Sequence, residues 1–391
     1  MNGFLALGFA LIGGAFCGKL MNRIKMPTVT GYILAGLVLG ASVLRLITEQ
    51  TITDLGFISD FALCIIAFTI GSELEFRIIA RLGKAIFSIA FFEALFAFIL
   101  VGLATWLISG DMALALILGA VSSATAPAAT VLVLRELQAK GDVTSTLLGV
   151  IAVDDALCLM IYAVASAVAR VLVAGGALQA ADVLLYPLRE ILLSVLAGAL
   201  AGLLLAWLLS ISRRDSESML FLVGTLLTLV GVTTWAHLST LLAAMATGIA
   251  VTNLSRKKKT AFQDIDRISP PIIAGFFVLA GSRLDLRLLP QIGLLGLAYF
   301  VLRIAGKLAG AALGGKLAGA PANVRKYLGL GLLSQVGVAV GLAITVSREF
   351  PGTSLGTVVV TILLATTILT EIIGPYTTRY AITRAGESRS E

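Results

Sequence analysis

Apolar runs of bilayer length recur along the whole chain, each closed by a short polar seam. A transmembrane helix needs about 20 residues. Thirteen segments read as spans: 3–20, 29–46, 54–72, 85–108, 112–133, 143–169, 184–210, 217–235, 238–253, 268–282, 288–315, 325–347 and 354–378, each bounded to within a few residues. The seams hold turn and breaker residues such as Asn22, Pro27, Gly110, Gly175, Gly176, Pro321 and Pro351. The pattern predicts an all-α polytopic membrane protein of about 13 transmembrane helices.

Two spans depart from uniform hydrophobicity. In span five, Pro127 sits at mid-depth behind Ser122, Ser123 and Thr125. Proline removes a backbone donor and frees carbonyls. Span twelve carries Gly329, Gly331, Gly337 and Gly341 around the polar pair Ser334 and Gln335. The two spans are seven apart, an odd offset, so they run in opposite directions. The expectation is an inverted repeat in which two discontinuous helices cross near the bilayer midplane.

Composition agrees. The chain of 391 residues is 58% hydrophobic and 13% charged, against about 25% charged in soluble domains. The net charge of +7 is scattered over short loops, which excludes a nucleic-acid patch. Cys17, Cys64 and Cys158 fall in apolar segments with no paired spacing, so neither disulfides nor a metal cluster is expected. Lys19 follows the first apolar run rather than preceding it, which predicts a retained helix and not a signal peptide. Odd-numbered loops and the tail hold 21 basic residues and even-numbered loops 5. The positive-inside rule then places the N-terminus outside and the C-terminus in the cytoplasm.

The charges at depth carry the chemistry. Span six, 143–169, contains only Asp154 and Asp155 as charges. Asp154 lies roughly 18 Å from the Asp142 end, near the middle of a hydrocarbon core about 30 Å thick. One carboxylate there costs about 2.5–3.5 kcal/mol, an expense that packing does not require. Other deep charges are Glu93 in span four, Arg303 and Lys307 in span eleven, and Glu371 in span thirteen. Arg303 and Lys307 are four apart and share a helix face. Lys307 is the expected charge partner of the aspartates, since a buried lysine can lose its charge. Arg303 reads either as a static partner of Glu371 or Glu93 or as a direct participant. A hard cation such as Na⁺ wants oxygen ligands. Asp155, Asp154, Thr125, Ser123 and the freed carbonyls near Ala124–Pro127 can supply them, so proton and cation compete for one carboxylate.

Several motifs resemble the monovalent cation/proton antiporter superfamily, in its bacterial sodium/proton exchanger branch. The most specific is Val153-Asp154-Asp155-Ala156, similar to the family's two-aspartate signature. Pro27-Thr28-Val29-Thr30-Gly31-Tyr32 opens a stretch resembling its second helix, Ile70-Gly71-Ser72-Glu73-Leu74-Glu75 its third-helix end, and Gly306-Lys307-Leu308-Ala309-Gly310 the stretch with its core lysine. The resemblance implies a homodimer in the lipid bilayer. It also implies elevator-like alternating access of a mobile six-helix core against a scaffold, and electrogenic exchange. It makes Asp155 the main carrier and pairs Asp154 with Lys307, which is released when the cation binds. Two departures bear on the choice of cation. Leu333-Ser334-Gln335-Val336-Gly337 stands where the family often has Pro-Arg-Gly-Glu, and Tyr32 where many sodium exchangers have Glu.

The expected organisation is scaffold helices in 1–84, core helices in 85–175, a linker helix in 176–212, scaffold helices in 213–287, core helices in 288–380 and a short cytoplasmic tail in 381–391. The function expected is Na⁺/H⁺ exchange, with Li⁺ also carried, in a bacterial inner membrane. The alternatives are K⁺/H⁺ exchange and a Na⁺-coupled organic-anion symporter on a related fold. The transported ions are the substrates, and neither a cofactor, a nucleic acid nor an organic substrate is expected. A membrane-embedded enzyme would need a nucleophile or metal cluster at depth, and His237 is the only histidine.

Overall fold

The computed structural model describes residues 3–23, 28–40, 43–73, 75–76, 83–174, 186–283 and 293–388. Every regular element among them is helical. In chain order these are α1 (Gly3–Arg23), α2 (Thr28–Leu39), the short α3 (Glu49–Asp54), α4 (Gly56–Glu73), α5 (Lys84–Ser109), α6 (Met112–Ser122), α7 (Pro127–Glu136), α8 (Asp142–Val173), α9 (Tyr186–Ile211), α10 (Asp215–Trp235), α11 (Thr240–Leu254), α12 (Lys258–Ser282), α13 (Gly293–Leu317), the short α14 (Ala322–Tyr327), α15 (Gly337–Glu349) and α16 (Ser354–Arg384). Among the described residues eight helices are long and apolar enough to cross a membrane, or nine spans if the pair Ala322–Leu332 and Gly337–Glu349, bent by 48°, counts as one. Four shorter apolar helices, α2, α4, α6 and α11, stand at the remaining expected places. Pro27, Leu74, Gly175 and Gly176, named above, lie outside the described residues, as do Lys25, Arg77, Arg81, Arg287 and Arg389, which enter the loop-charge counts above.

Three boundaries differ from expectation by six residues or more: α16 runs on to Arg384, past the expected end of span thirteen at 378 and into the expected tail, and the other two are at α2 and α12. α2 ends at Leu39, where Leu46 N–H and Ile47 N–H both donate to the Leu39 carbonyl at 2.9 Å and fold the chain back. α12 begins at Lys258, ten residues before the expected start of span ten. Its first turns are too polar to read as a span. They are amphipathic, however, and bury Ala261, Asp264 and Ile265 on one face.

Glycines set the helix crossings. A Cβ on Gly36 would lie 2.9 Å from Gly281 Cα, so α2 and α12 meet backbone to backbone. A Cβ on Gly71 would lie 2.9 Å from Gly248 Cα, which puts α4 and α11 in the same relation. Spans two and nine (α2, α11), and spans three and ten (α4, α12), are each seven apart. The two crossings are therefore one contact repeated with its partners exchanged, as an inverted repeat requires. Packing is densest within two sets, α1, α2, α4 and α9–α12 in one, α5–α8 and α13–α16 in the other.

In the second set α13 lies tight along α5. Gly306, Gly310 and Gly314 form one face of α13, and a Cβ at each would meet the α5 backbone at Ala97, Glu93 and Ile89 respectively. Gly310→Val would drive its side chain into the Phe92–Glu93 peptide. Overpacking costs typically about 1–3 kcal/mol, and rigid backbone on both sides puts this case at the upper end. The expected result is a lower melting temperature in detergent and reduced transport, while Gly296→Val, with nothing within 4 Å, leaves both unchanged.

At the Arg170 end of α8, ion pairs tie the two sets together. Arg170 pairs with Glu190 at 2.5 Å, and Arg348 pairs with Asp60 while donating to the Gly56 carbonyl at 3.0 Å. A cavity of about 450 Å³ lies there, lined by Asp60, Tyr162, Glu190, His237, Arg348 and Glu349 among others.

Candidate functional site

Two helix breaks meet at the centre of the second set. α6 stops at Ser122, and the chain resumes as helix at Pro127. A 3-10 turn, Leu328–Leu332, is followed by non-helical chain until α15 starts at Gly337. The two breaks touch directly: Ala126 N–H donates to the Ser334 carbonyl at 2.8 Å, and Thr130 Oγ1 donates to the Gly331 carbonyl at 2.8 Å. A helix end leaves up to four carbonyls without intrahelical donors, and these ends are buried, so the sequence must supply other donors.

α13 supplies them from one face. Tyr299, Arg303 and Lys307 recur every four residues and are buried at 1%, 0% and 0% exposure. Arg303 Nε donates to the Ser122 carbonyl at 3.1 Å and Nη2 to Ala124 at 2.7 Å, while Nη1 donates to Leu333 at 2.7 Å and Nη2 to Ser334 at 3.5 Å. One guanidinium thus closes both breaks, using the fixed fork that a lysine lacks. Gln335 Nε2 takes the Val121 carbonyl at 2.9 Å, and Tyr299 Oη donates to Gln335 Oε1 at 3.1 Å. The carbonyl ends of helices attract cations, which explains why both deep basic residues sit here.

Asp154 and Asp155 lie near the middle of the 32-residue α8, at 0% and 7% exposure. Lys307 Nζ is 3.4 Å from Asp154 Oδ2, 2.8 Å from Thr125 Oγ1 and 2.5 Å from Glu93 Oε2, and it also donates to the Ser123 carbonyl. Ser123 Oγ donates back to the Ala120 carbonyl at 2.6 Å. Cys158, one turn beyond Asp154, is buried with its thiol 3.7 Å from the same carbonyl.

The structure therefore brings Asp154, Thr125, Ser123, Lys307 and Glu93 into contact on the Lys307 ammonium, with Asp155 adjacent on α8. Ser334 and Gln335 lie at the second break. Glu371 is buried on α16, with the Arg303 guanidinium as its charged neighbour. Ser334 sits against Gly374 one turn further along, and Thr370 Oγ1 donates to the Gln335 carbonyl at 3.4 Å. Three features differ from the sequence reading. Arg303 bonds backbone carbonyls rather than forming a hydrogen-bonded pair with Glu93 or Glu371. The Ala124 carbonyl offered above to a cation is held by Arg303, and the Ser123 carbonyl beside it by Lys307. The carboxylate nearest to Lys307 is Glu93 rather than Asp154.

Two residues were missed. Tyr299 was legible as the third member of the four-residue stripe on α13. Glu387, placed above in a short cytoplasmic tail, caps the first turn of the aspartate helix. Val143 N–H donates to its Oε1 at 2.7 Å, and Thr144 N–H and hydroxyl donate to its Oε2 at 2.8 and 2.7 Å. A carboxylate at a helix N-terminus is favourable, but no local spacing in the sequence links a capping residue to a helix 244 residues away.

Residues 7–379 match the family described as sodium/hydrogen exchanger, transmembrane. The probable Na⁺/H⁺ antiporter GerT of Bacillus cereus is 24% identical over 354 residues, which is 86% of this chain and 89% of that protein. The iron transporter MagA of Paramagnetospirillum magneticum is 36% identical over 64 residues, only 16% of this chain and 14% of that protein. Among solved structures, the sodium proton antiporter MjNhaP1 of Methanocaldococcus jannaschii superposes with a TM-score of 0.79 at 17% identity, covering 98% of both chains. Exchange of this kind needs no cofactor, because the ions are its substrates. The chain belongs to the transmembrane sodium/hydrogen exchanger family, whose members are transporters of monovalent cations and protons rather than enzymes.

Proposed function

We propose that this chain exchanges Na⁺ for protons across a bacterial inner membrane, with Asp155 as the group for which the two ions compete. The observation that carries this reading is a pair of buried carboxylates, Asp154 and Asp155, beside a crossing of two broken helices, with the Lys307 ammonium within 3.4 Å of one of them. No structural role in a membrane helix calls for two adjacent acids. Asp154, with the Thr125 and Ser123 hydroxyls, completes an oxygen-rich surround suited to a hard cation such as Na⁺ or Li⁺. Lys307 is the mobile countercharge. Arg303, Gln335 and Ser334 hold the crossing in shape, and Glu371 offsets the Arg303 charge.

Two carboxylates can take up more protons than the cations they release, so the cycle moves net charge. The set α5–α8 with α13–α16 is the moving core of an elevator, α9 is the linker, and the remaining helices of the first set, α1, α2, α4 and α10–α12, are the scaffold, through which two chains dimerise. Crossing of the loaded core is favoured because bound cation or bound protons neutralise carboxylates that are costly to carry uncovered through a bilayer. By the positive-inside rule the N-terminus is outside. The Arg170 end, with its Arg170–Glu190 and Arg348–Asp60 pairs and the cavity beside them, then faces outward.

The test is reconstitution in liposomes with an internal pH dye, an imposed pH gradient, and external Na⁺, Li⁺ or K⁺. Dissipation by Na⁺ and Li⁺ supports the reading. Dissipation by K⁺ alone reassigns the cation and keeps the mechanism. Silence with every monovalent cation, in folded protein, removes it.

A further inference from the structure

We infer that Glu93 is a holding partner for Lys307, a positioning residue that keeps the lysine off Asp154 so that a cation can take its place. The inference rests on the cation site proposed above. Lys307 Nζ forms its shortest ion pair with Glu93, whose Oε2 lies 2.5 Å away, and it donates to Thr125 Oγ1 at 2.8 Å and to the Ser123 carbonyl. Its hydrogen bonds to Asp154 are longer, at 3.4 and 3.5 Å, beyond the usual range for an N–H donor. A lysine drawn to the nearer carboxylate gives Asp154 charge but only long hydrogen bonds.

Glu93 is placed for this work and for little else. Its side chain is wholly buried on α5, at the level where Gly310 lets α13 close onto the Phe92–Glu93 backbone. That close approach puts the lysine one turn away on α13 against the carboxylate. An unpaired buried carboxylate at this depth would be strongly destabilising, and Lys307 is the cation that reaches it. The groups facing Lys307 are Glu93 from α5, Asp154 and Cys158 from α8, Ser123 and Thr125 from the first break, and Arg303 on its own helix. Of these, only Glu93 and Asp154 offer a negative charge at contact distance. When a cation enters beside Asp154 and Asp155, Lys307 already has a counter-anion and need not be left uncompensated in a dry interior. When the cation leaves, the same ammonium is near enough to cover Asp154. Glu93 thus lowers the barrier to displacing the lysine and strengthens cation binding without touching the cation.

The consequence has a distinct signature. In Glu93→Gln the shape is kept and the charge is gone, so Asp154 becomes the sole anionic partner of Lys307 and the cation must displace it. Na⁺ binding is read from the rise of melting temperature with Na⁺ on the purified full-length protein, since a ligand that binds the folded state stabilises it by mass action. This readout needs no transport. The half-saturating Na⁺ concentration is expected to rise about tenfold in Glu93→Gln, as the Lys307 charge passes from Glu93 to Asp154. Glu93→Asp, which keeps the charge on a shorter stem, should shift it less. In a Lys307→Ala background, Glu93→Gln should leave it unchanged, because there is no lysine to hold.

An unchanged Na⁺ affinity in Glu93→Gln overturns the inference. So does an equal loss with and without Lys307, which would make Glu93 a cation ligand. If Glu93→Gln does not fold, Glu93→Asp in the two lysine backgrounds decides the question in the same way. Asp155→Asn run alongside separates the two levels of argument. If Asp155→Asn still shows full Na⁺ stabilisation, the underlying site is misassigned. If it loses that stabilisation while the Glu93 variants do nothing, only the holding role fails.

Discussion

Asp155→Asn is expected to bring cation-driven proton movement to background in liposomes while leaving the protein folded. The amide keeps the size of the side chain but can neither bind the exchanged proton nor contribute charge to a bound cation. Stability should hold or rise. A carboxylate at the centre of a bilayer costs about 2.5–3.5 kcal/mol, and a neutral amide removes much of that cost. Asp155 is also the most accessible member of the cluster, at 7% exposure against 0% for Asp154 and Lys307, as befits the group that meets an incoming ion. The comparison to make is melting temperature and exchange rate side by side. A variant that is silent and at least as stable as the parent places the defect in chemistry; a variant that is silent because it no longer folds would not.

The second large effect is expected at Arg303, and it has the opposite character. Arg303→Met removes the donors for the Ser122, Ala124 and Leu333 carbonyls and leaves the carbonyl ends of two broken helices buried without partners. Each buried unsatisfied polar group costs about 1–3 kcal/mol, so the loss is several kcal/mol even with partial rearrangement. Glu371 would also lose its charged neighbour. Both folding yield and transport should collapse. Arg303→Lys should recover little, because a single ammonium cannot span both breaks as the guanidinium fork does. Retention of a normal melting temperature in Arg303→Met would show that the crossing is held by something else, such as the direct Ala126 to Ser334 hydrogen bond.

The fold was largely legible because membrane physics writes it into hydropathy. A span must be apolar for most of its length, and a break in a span must be signalled by residues that free or satisfy backbone groups. Pro127 and the glycines around Ser334 and Gln335 gave that signal, and the structure interrupts its helices there. The start of α12 was not legible, because its first turns bury one face against protein and leave the other polar, so mean hydropathy is low where the helix is nonetheless real.

Residue type and depth singled out Asp154, Asp155, Arg303, Lys307 and Glu93, which the structure brings to one place, but not which pairs with which. Sequence spacing fixes neighbours along one helix, as for Arg303 and Lys307. It does not fix the rotation of α5 against α13, which depends on Gly306, Gly310 and Gly314 fitting against Ala97, Glu93 and Ile89. That rotation assigns Lys307 to Glu93. The Glu387 cap on α8 was hidden for the same reason, being a contact between chain segments far apart in sequence.

The central claim is that proton and cation compete for one carboxylate, and the most direct test is the apparent KM for Na⁺ measured at several pH values in liposomes. Competition predicts that KM climbs as pH falls, approaching about tenfold per pH unit for a single competing proton, while the maximal rate at saturating Na⁺ stays constant. A KM independent of pH, with the maximal rate alone changing, would mean that protons act at a separate site, and would contradict the account.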